Sequence, residues 1–401
     1  MKTANPSSIK FFTLGCKVNQ YETQELRERF QRADFAESGH HQAADLYVIN
    51  TCTVTHRADS DSLNLIRRAK RENPKAKIIV SGCLTELDED RIKETEPGCL
   101  IVRNKDKDNL LNHLKRFNGP NGQNGLNGQN GLKGISYFKE HTRAFLKIQD
   151  GCNNLCSYCK VPLVRGRSRS KAKEQVIKEA KNLVKSGFKE IVLTGICLGS
   201  YGKDLPERTT LVDIIGALEK VEGLLRIRLS SVEAKDITHQ LIDKISTSKK
   251  LCRHLHVPIQ SGDDEILKRM KRNYTRKYYL DLIKKIKKTI PGIAITTDVL
   301  VGFPGESAKN FSNTIELIRR IKPLKVHIFP YSRREGTQAA CKFSNQDDPL
   351  IVKKRIAQLK QVADKTAREY RRKFLNRALN VLIEGNSGID PKLWEGYSDN
   401  Y

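Results

Sequence analysis

The stretch DGCNNLCSYCKVP places three thiols, Cys152, Cys156 and Cys159, in a C-x3-C-x2-C pattern. A structural zinc site fills four ligand positions, and a disulfide scaffold belongs to small secreted chains; a chain of 401 residues with this triplet fits neither. Ten cysteines in this length make partners at both +4 and +7 a chance event in under roughly 1% of cases, so the pattern is not noise. Three thiolates on one loop can bind three irons of a 4Fe-4S cluster and leave the fourth iron open to chelate a substrate or cofactor. Tyr158, just before the last cysteine, is placed to shield such a cluster from water.

A second set is spread over 68 residues. IKFFTLG, DLYVINTC and KIIVSGC read as strands, and Cys16, Cys52 and Cys83 each follow one of them. QYETQELRERFQRA and DSDSLNLIRRAKREN, the latter stopped near Pro74, read as the helices between. This alternation predicts a doubly wound parallel sheet, whose strands share one carboxyl edge, where ligands bind. Three cysteines distant in sequence then meet in space; three separate buried cysteines are the plainer alternative.

These elements define an α/β chain with an N-terminal domain over residues 1–117. NGPNGQNGLNGQNGLKG, residues 118–134, has no apolar period and reads as a flexible linker. From 135 to 373 a second series follows, in which RAFLKIQ leads straight into the cysteine triplet. KEIVLTG, LRIRLSS, HLHVPIQ, AITTDVLVG and KVHIFPY are five further strands, with helices such as EQVIKEAKNLVKSG and AKNFSNTIELIRRI between them. Six such units predict a full or partial (β/α) barrel, with its chemistry at the strand carboxyl ends. Gly195, Ser230, Ser231, Glu233, Gln260, Ser261, Asp298 and Tyr331 fall there. Residues 374–401 hold one strand, ALNVLIEG, and stop at WEGYSDNY, too short for a third core.

Taken together, the triplet at the end of the first barrel strand resembles the radical S-adenosylmethionine superfamily. TLGCKVNQYE, NTCTVT, VSGC, RGRSRS, HVPIQSGDDEILKRMKRNYT, TTDVLVGFPGE and FPYSRREGTQAA narrow the resemblance to its methylthiotransferases. The resemblance implies two 4Fe-4S clusters, one on Cys152, Cys156 and Cys159 and an auxiliary one on Cys16, Cys52 and Cys83. It implies S-adenosylmethionine as methyl donor and as source of a 5′-deoxyadenosyl radical, and replacement of a C–H bond by C–S–CH3. An electron donor such as flavodoxin or ferredoxin and a sulfur source are implied partners. Lys17, Val18 and Asn19 in TLGCKVNQYET resemble the branch acting on threonylcarbamoyladenosine beside the tRNA anticodon. An isopentenyladenosine tRNA and a ribosomal protein are the alternative targets, and a metal-stabilised RNA-binding protein is the non-enzymatic one. A C-terminal RNA-binding barrel, the TRAM domain, is also implied, and residues 374–401 resemble a truncated piece of it. Lys160, after the third cysteine, departs from the pattern.

Several single residues have a functional and a plain reading. Gly195 could offer backbone to the methionyl amine. Glu233 could bind ribose hydroxyls or cap a helix. Ser231, Gln260, Ser261 and Asp298 are candidates to line the cofactor pocket, whereas Gly302 and Gly305 suit a tight turn. His254 and His256 read as structural rather than as metal ligands. Cys99, Cys197, Cys252 and Cys341 fit neither cysteine set.

The chain carries 73 Lys and Arg against 46 Asp and Glu, a net charge of +27. That balance points to a polyanion partner. Two runs concentrate it: residues 265–290 with ten basic and two acidic residues, and residues 351–373 with nine and two. The second has helical apolar spacing at Ile351, Ile356, Leu359 and Val362, and Arg371, Arg372 and Lys373 at its end are candidate RNA contacts. No apolar stretch approaches the roughly 18 residues of a membrane span, and the first residues hold no secretory h-region. A cytoplasmic protein with no membrane partner is expected.

Overall fold

The computed structural model describes residues 8–39, 41–117, 134–343, 348–388 and 390–401, so the expected linker lies outside the described residues except for Gly134. The chain forms two compact units. One runs to Lys139 and also takes in Lys160–Arg167; the other comprises Glu140–Cys159 and Ser168–Tyr401.

The first unit is a doubly wound sheet. Its elements are β1 (Ser8–Thr13), α1 (Lys17–Arg32), β2 (Ala36–Glu37), β3 (Leu46–Thr51), α2 (His56–Glu72), β4 (Lys77–Gly82), α3 (Glu89–Thr95), β5 (Leu100–Val102) and α4 (Leu110–Phe117), with α5 (Val161–Arg165) added from the later segment. The strands run parallel in the order β2-β1-β3-β4-β5. Strand β3 is buried along its whole length, as expected where helices cover both faces. Alternate side chains serve the two faces. Tyr47, Ile49, Ile78 and Val80 pack with Leu63, Ile66 and Ala69 of α2. Ile9, Leu46, Val48 and Ile79 pack with Leu26 and Phe30 of α1 and Leu110 and Leu114 of α4. Helix α2 begins on Thr55, whose side chain accepts from the Ala58 amide, and ends at Asn73, because the following Pro74 disfavours helical backbone before it. The short strands β2 and β5 carry too little apolar pattern to be read from sequence.

The second unit contains β6 (Arg143–Lys147), β7 (Gln149–Asp150), β8 (Arg169–Ser170), α6 (Lys173–Lys185), β9 (Glu190–Thr194), α7 (Leu211–Glu219), β10 (Arg226–Leu229), α8 (His239–Thr247), β11 (His254–His256), α9 (Asp264–Arg269), α10 (Arg276–Thr289), β12 (Ala294–Val301), α11 (Ala308–Ile321), β13 (Lys325–Pro330), α12 (Gln338–Lys342), α13 (Pro349–Arg372), β14 (Val381–Asn386) and β15 (Trp394–Ser398). Parallel ladders β6-β9-β10 and β11-β12-β13 are joined by parallel bridges at Ile227–Leu251 and Ser231–His256. The result is one open row of six strands, a partial (β/α) barrel. Capping is local: Thr275 accepts from the Tyr278 amide to start α10, and Ser307 with Asn310 closes a capping box on α11. In α13 the buried face is Leu359, Ala363, Thr366, Ala367 and Tyr370, while Ile351, expected on that face, is 44% exposed.

The antiparallel pair β14–β15 docks on the barrel through charge. Glu190, at the start of β9, is fully buried, with Arg228 at 2.6 Å, Arg226 at 3.7 Å and Arg143 at 3.9 Å. The same arginines reach the C-terminal strands. Arg226 donates to the carbonyls of Tyr397 and Asn380, Arg228 to that of Ser398, and Arg143 pairs with Glu384. Removing one partner of a buried charge cluster leaves the others uncompensated. Glu190→Ala is therefore expected to cost about 3–5 kcal/mol of unit stability and to expose residues 374–401 to protease. Unchanged thermal unfolding together with an uncut tail would refute this role for Glu190.

Candidate active site

Cys16, Cys52 and Cys83 directly follow β1, β3 and β4, three neighbouring strands of the parallel sheet. Strand order reverses between β1 and β3, the switch point at which such sheets open a crevice. Two glycines let the loops converge. A Cβ on Gly15 (φ +97°) would lie 2.9 Å from Cys52 Sγ, and one on Gly82 (φ +103°) would lie 2.4 Å from the Thr51 backbone. Asn19 ties the turns together, its amide donating to the carbonyls of Leu14 and Thr51 at 2.7 and 2.9 Å. Behind it, buried Glu22 accepts from Arg165 at 2.7 Å and Lys107 at 2.6 Å, and Lys107 also reaches Asn50. Burial pushes the Cys52 thiol up to about 11. Burial also raises Cys83, against the pull of Arg165 and Lys107. A metal taking these thiols must displace their protons, and the two cations favour the Cys83 thiolate.

The triplet loop leaves β7 and is pinned from several sides. Gln149 donates to the Gly151 carbonyl at 2.7 Å and Ser168 Oγ at 2.9 Å, and accepts from the Cys197 amide at 2.8 Å. Gly195 has no side chain for this reason: a Cβ there would sit 2.8 Å from Gln149 Oε1. Ser157 Oγ donates to the Arg269 carbonyl, and the Ser157 amide donates to that of Met270. Tyr158 packs on Ile266, Met270, Phe303, Tyr331 and Ala339, and burial holds its phenol well above the ordinary range. Cys152 is lowered, first by a hydrogen bond from the Cys197 thiol. Asn154 bridges the same pair, its amide nitrogen 3.4 Å from Cys152 Sγ and its Nδ2 3.5 Å from Cys197 Sγ. Arg272 Nη1 lies 3.4 Å from Cys156 Sγ, while its other terminal nitrogen pairs with Glu233 and reaches the Tyr274 hydroxyl at 2.7 Å.

Both donor sets fit an iron–sulfur cluster with one open iron, since each brings three thiols and no fourth protein ligand from the motif. Two further groups suit a bound ligand. Ser230 Oγ and the Tyr331 hydroxyl, each just past a barrel strand, are buried with no hydrogen-bond partner among the described residues.

The other expected site residues divide. Glu233 joins the triplet through Arg272. Ser231 is exposed at its strand end, bridged to His256. Gln260 takes a left-handed backbone at φ +71°, its amide bonded to the Asp298 carbonyl and its own carbonyl accepting from Leu300. Ser261 is fully buried against Thr314 of α11 at 3.4 Å, so it stands apart from the strand-end group. Asp298 pairs with His256 at 3.1 Å. Sequence reading passed over Arg272, Gln149 and Asn154 and set Cys197 aside. Arg272 was hidden within the basic run 265–290, whose charge as a whole points to a polyanion partner.

That run is split in the structure. Arg272 turns inward, and Arg269, Lys277 and Arg276 are paired with Glu265, Asp281 and Glu316. Helix α13 keeps its charge outward, with Lys353, Lys354, Lys360, Lys365, Arg368, Arg371, Arg372 and the capping Lys373 exposed. Lys287 is pushed down to about 8, first by burial and then by Lys373 and Lys322 nearby. Among the described residues no helix is long and apolar enough to cross a membrane.

Comparison with known proteins agrees with this geometry. The Radical SAM superfamily model matches residues 146–318, and the model described as Uncharacterized protein family UPF0004 matches residues 8–104. The chain is 40% identical to "Threonylcarbamoyladenosine tRNA methylthiotransferase MtaB" of Bacillus subtilis (strain 168), over 98% of this chain and 89% of that one. It is 34% identical to "tRNA-2-methylthio-N(6)-dimethylallyladenosine synthase" of Clostridium botulinum (strain Loch Maree / Type A3), over 94% and 86%. In fold it is similar to the radical S-adenosylmethionine methyltransferase TsrM from Kitasatospora setae, with TM-score 0.61 and 12% identity over 84% of this chain and 77% of that one. Two three-cysteine sets on the carboxyl edges of parallel sheets, with these full-length likenesses, establish that the chain belongs to the radical SAM tRNA methylthiotransferase family.

Proposed function

We propose that this enzyme converts threonylcarbamoyladenosine beside the tRNA anticodon to its 2-methylthio derivative. The observation that carries the reading is the pair of separate three-cysteine sets, each at a strand carboxyl edge. The choice of nucleoside rests on TLGCKVNQYET and on 40% identity to a relative named for that nucleoside, against 34% to one named for dimethylallyladenosine. A flavodoxin or ferredoxin as electron donor, a separate sulfur source and a cytoplasmic setting complete the proposal. Nucleoside mass spectrometry of tRNA from cells with and without the gene tests it. The methylthio form should vanish with the gene and its unthiolated precursor accumulate; a lost methylthio dimethylallyl nucleoside instead would move the substrate to the other branch.

S-adenosylmethionine and two 4Fe-4S clusters are the family's cofactors, and when bound they would supply the radical and the methyl group, while the sulfur comes from the separate source. The chain's part is to hold and shield. Cys152, Cys156 and Cys159 hold the radical cluster, and Cys16, Cys52 and Cys83 the auxiliary one. Tyr158 covers the triplet against water, and Arg272 sets a positive charge beside Cys156. Gly195, Ser231, Glu233 and Gln260 border the space for the cofactor's amino-acid and ribose groups. Helix α13 receives tRNA phosphates, with Arg371, Arg372 and Lys373 at its exposed end.

Three outcomes follow. Cys156→Ala should abolish 5′-deoxyadenosine formation, because two thiolates do not retain the cluster; unchanged formation would end the assignment of the triplet. Cys52→Ala should leave 5′-deoxyadenosine formation in place and lose thiolation, and an equal loss of both would show that the two sets are not separable. Binding of tRNA should weaken with salt at a log–log slope near roughly −4 to −5 if about six phosphates are contacted. Arg371→Ala or Arg372→Ala should each reduce that slope by about one, with turnover at saturating RNA little changed. A salt-independent affinity would show that the helix does not carry the RNA.

A further inference from the structure

We propose that His256, Asp298 and His327 form a divalent transition-metal site on the inner face of the barrel, distinct from both cysteine sets. His256 ends β11, Asp298 lies in β12 and His327 in β13. Parallel register sets His256 beside Thr296, and Asp298 beside His327. Residues 296 and 298 share one face by the two-residue period, so all four side chains project from the same side. The opposite face belongs to the helices: Thr297, between them, is fully buried and bonded to Tyr279 of α10 at 3.2 Å. The three side chains are half-buried, and among the described residues they are the one trio of His, Cys, Asp or Glu whose ligand atoms all lie within 4.8 Å of one another.

The chemistry suits a cation of the zinc or ferrous class. Two borderline imidazoles with one hard carboxylate form a donor set that zinc and ferrous ions take. His256 Nε2 and Asp298 Oδ2 are 3.1 Å apart, the edge expected when both bind one ion at about 2.0–2.2 Å. The imidazole is also oriented from behind. His256 Nδ1 lies 2.8 Å from Thr296 Oγ1, which is 3.0 Å from His254 Nε2. Rotation of that one hydroxyl lets it accept from His256 Nδ1–H, which leaves the Nε2 lone pair for a metal. Such an outer hydrogen bond is the usual companion of a metal-binding histidine. With three protein ligands, at least one coordination position stays open toward the concave face, as in catalytic rather than structural zinc sites.

The test uses the tag-free full chain with both cysteine sets loaded with iron, and Zn2+ as the probe, followed by calorimetry and elemental analysis. One equivalent of zinc should bind with iron content and cluster absorption unchanged. His256→Ala and His327→Ala should each weaken binding at least 100-fold. Thr296→Val, which keeps the shape of the side chain and all three ligands, should weaken it about 10–100-fold and guards against a ligand variant that does not fold. No saturable binding, zinc uptake matched by iron loss, or binding indifferent to all three substitutions would each overturn the site.

Discussion

A parallel strand whose sides are taken by neighbouring strands and whose faces are covered by helices can offer chemistry only beyond its carboxyl end; the inner face of a partial barrel, opposite its helices, is the exception. Both units obey this constraint, and both cysteine sets follow from it. In the first unit β1, β3 and β4 are neighbours, so residues 16, 52 and 83 share one edge although 67 positions separate the first from the last. In the second, the triplet follows the first strand of the row and Glu233 and Gln260 come from the ends of later ones, whereas Asp298, expected at the same edge, lies within β12. The edge is crowded, which is why Gly15, Gly82 and Gly195 stand where a single methyl group would collide with a neighbouring loop.

Crowding also sets the electrostatics. Thiols at the edge of a buried sheet are pushed toward the protonated form, as Cys52 and Cys83 show. The protein answers with buried cations that are themselves neutralised nearby: Arg165 and Lys107 share Glu22, and Arg272 is paired with Glu233. Arg165 and Lys107 can thereby favour the Cys83 thiolate, and none of the three cations stands alone in the interior. The same device appears far from the chemistry, where Glu190 gathers three arginines that in turn fasten the C-terminal strands.

The surface charge plays a different part. A net +27 says that the partner is a polyanion, but not which residues meet it. In residues 265–290 part of the charge is consumed within the fold, at Arg272, Arg269 and Arg276, whereas along α13 it remains outward. A helix with one apolar stripe can present cations freely only on the faces that packing does not need.

What the sequence determined by itself was local or spacing-based. The C-x3-C-x2-C triplet, the strand-then-cysteine repeats at Cys16, Cys52 and Cys83, and the helix stop before Pro74 are carried by neighbouring residues, and they were enough for the fold class and the family. What only the tertiary structure decided depends on contacts between distant strands. Arg272 looked like one more surface charge until its chain reversal brought it to Cys156. Ser261 looked like a strand-end ligand until the left-handed Gln260 turned the next residue toward α11. Cys197 looked unattached until Gln149 and Asn154 set it beside Cys152. His256, Asp298 and His327 are 71 positions apart at their extremes, and only strand register places them on one face. Side-chain direction at a strand end is fixed by register and by single backbone torsions, neither of which composition or periodicity encodes.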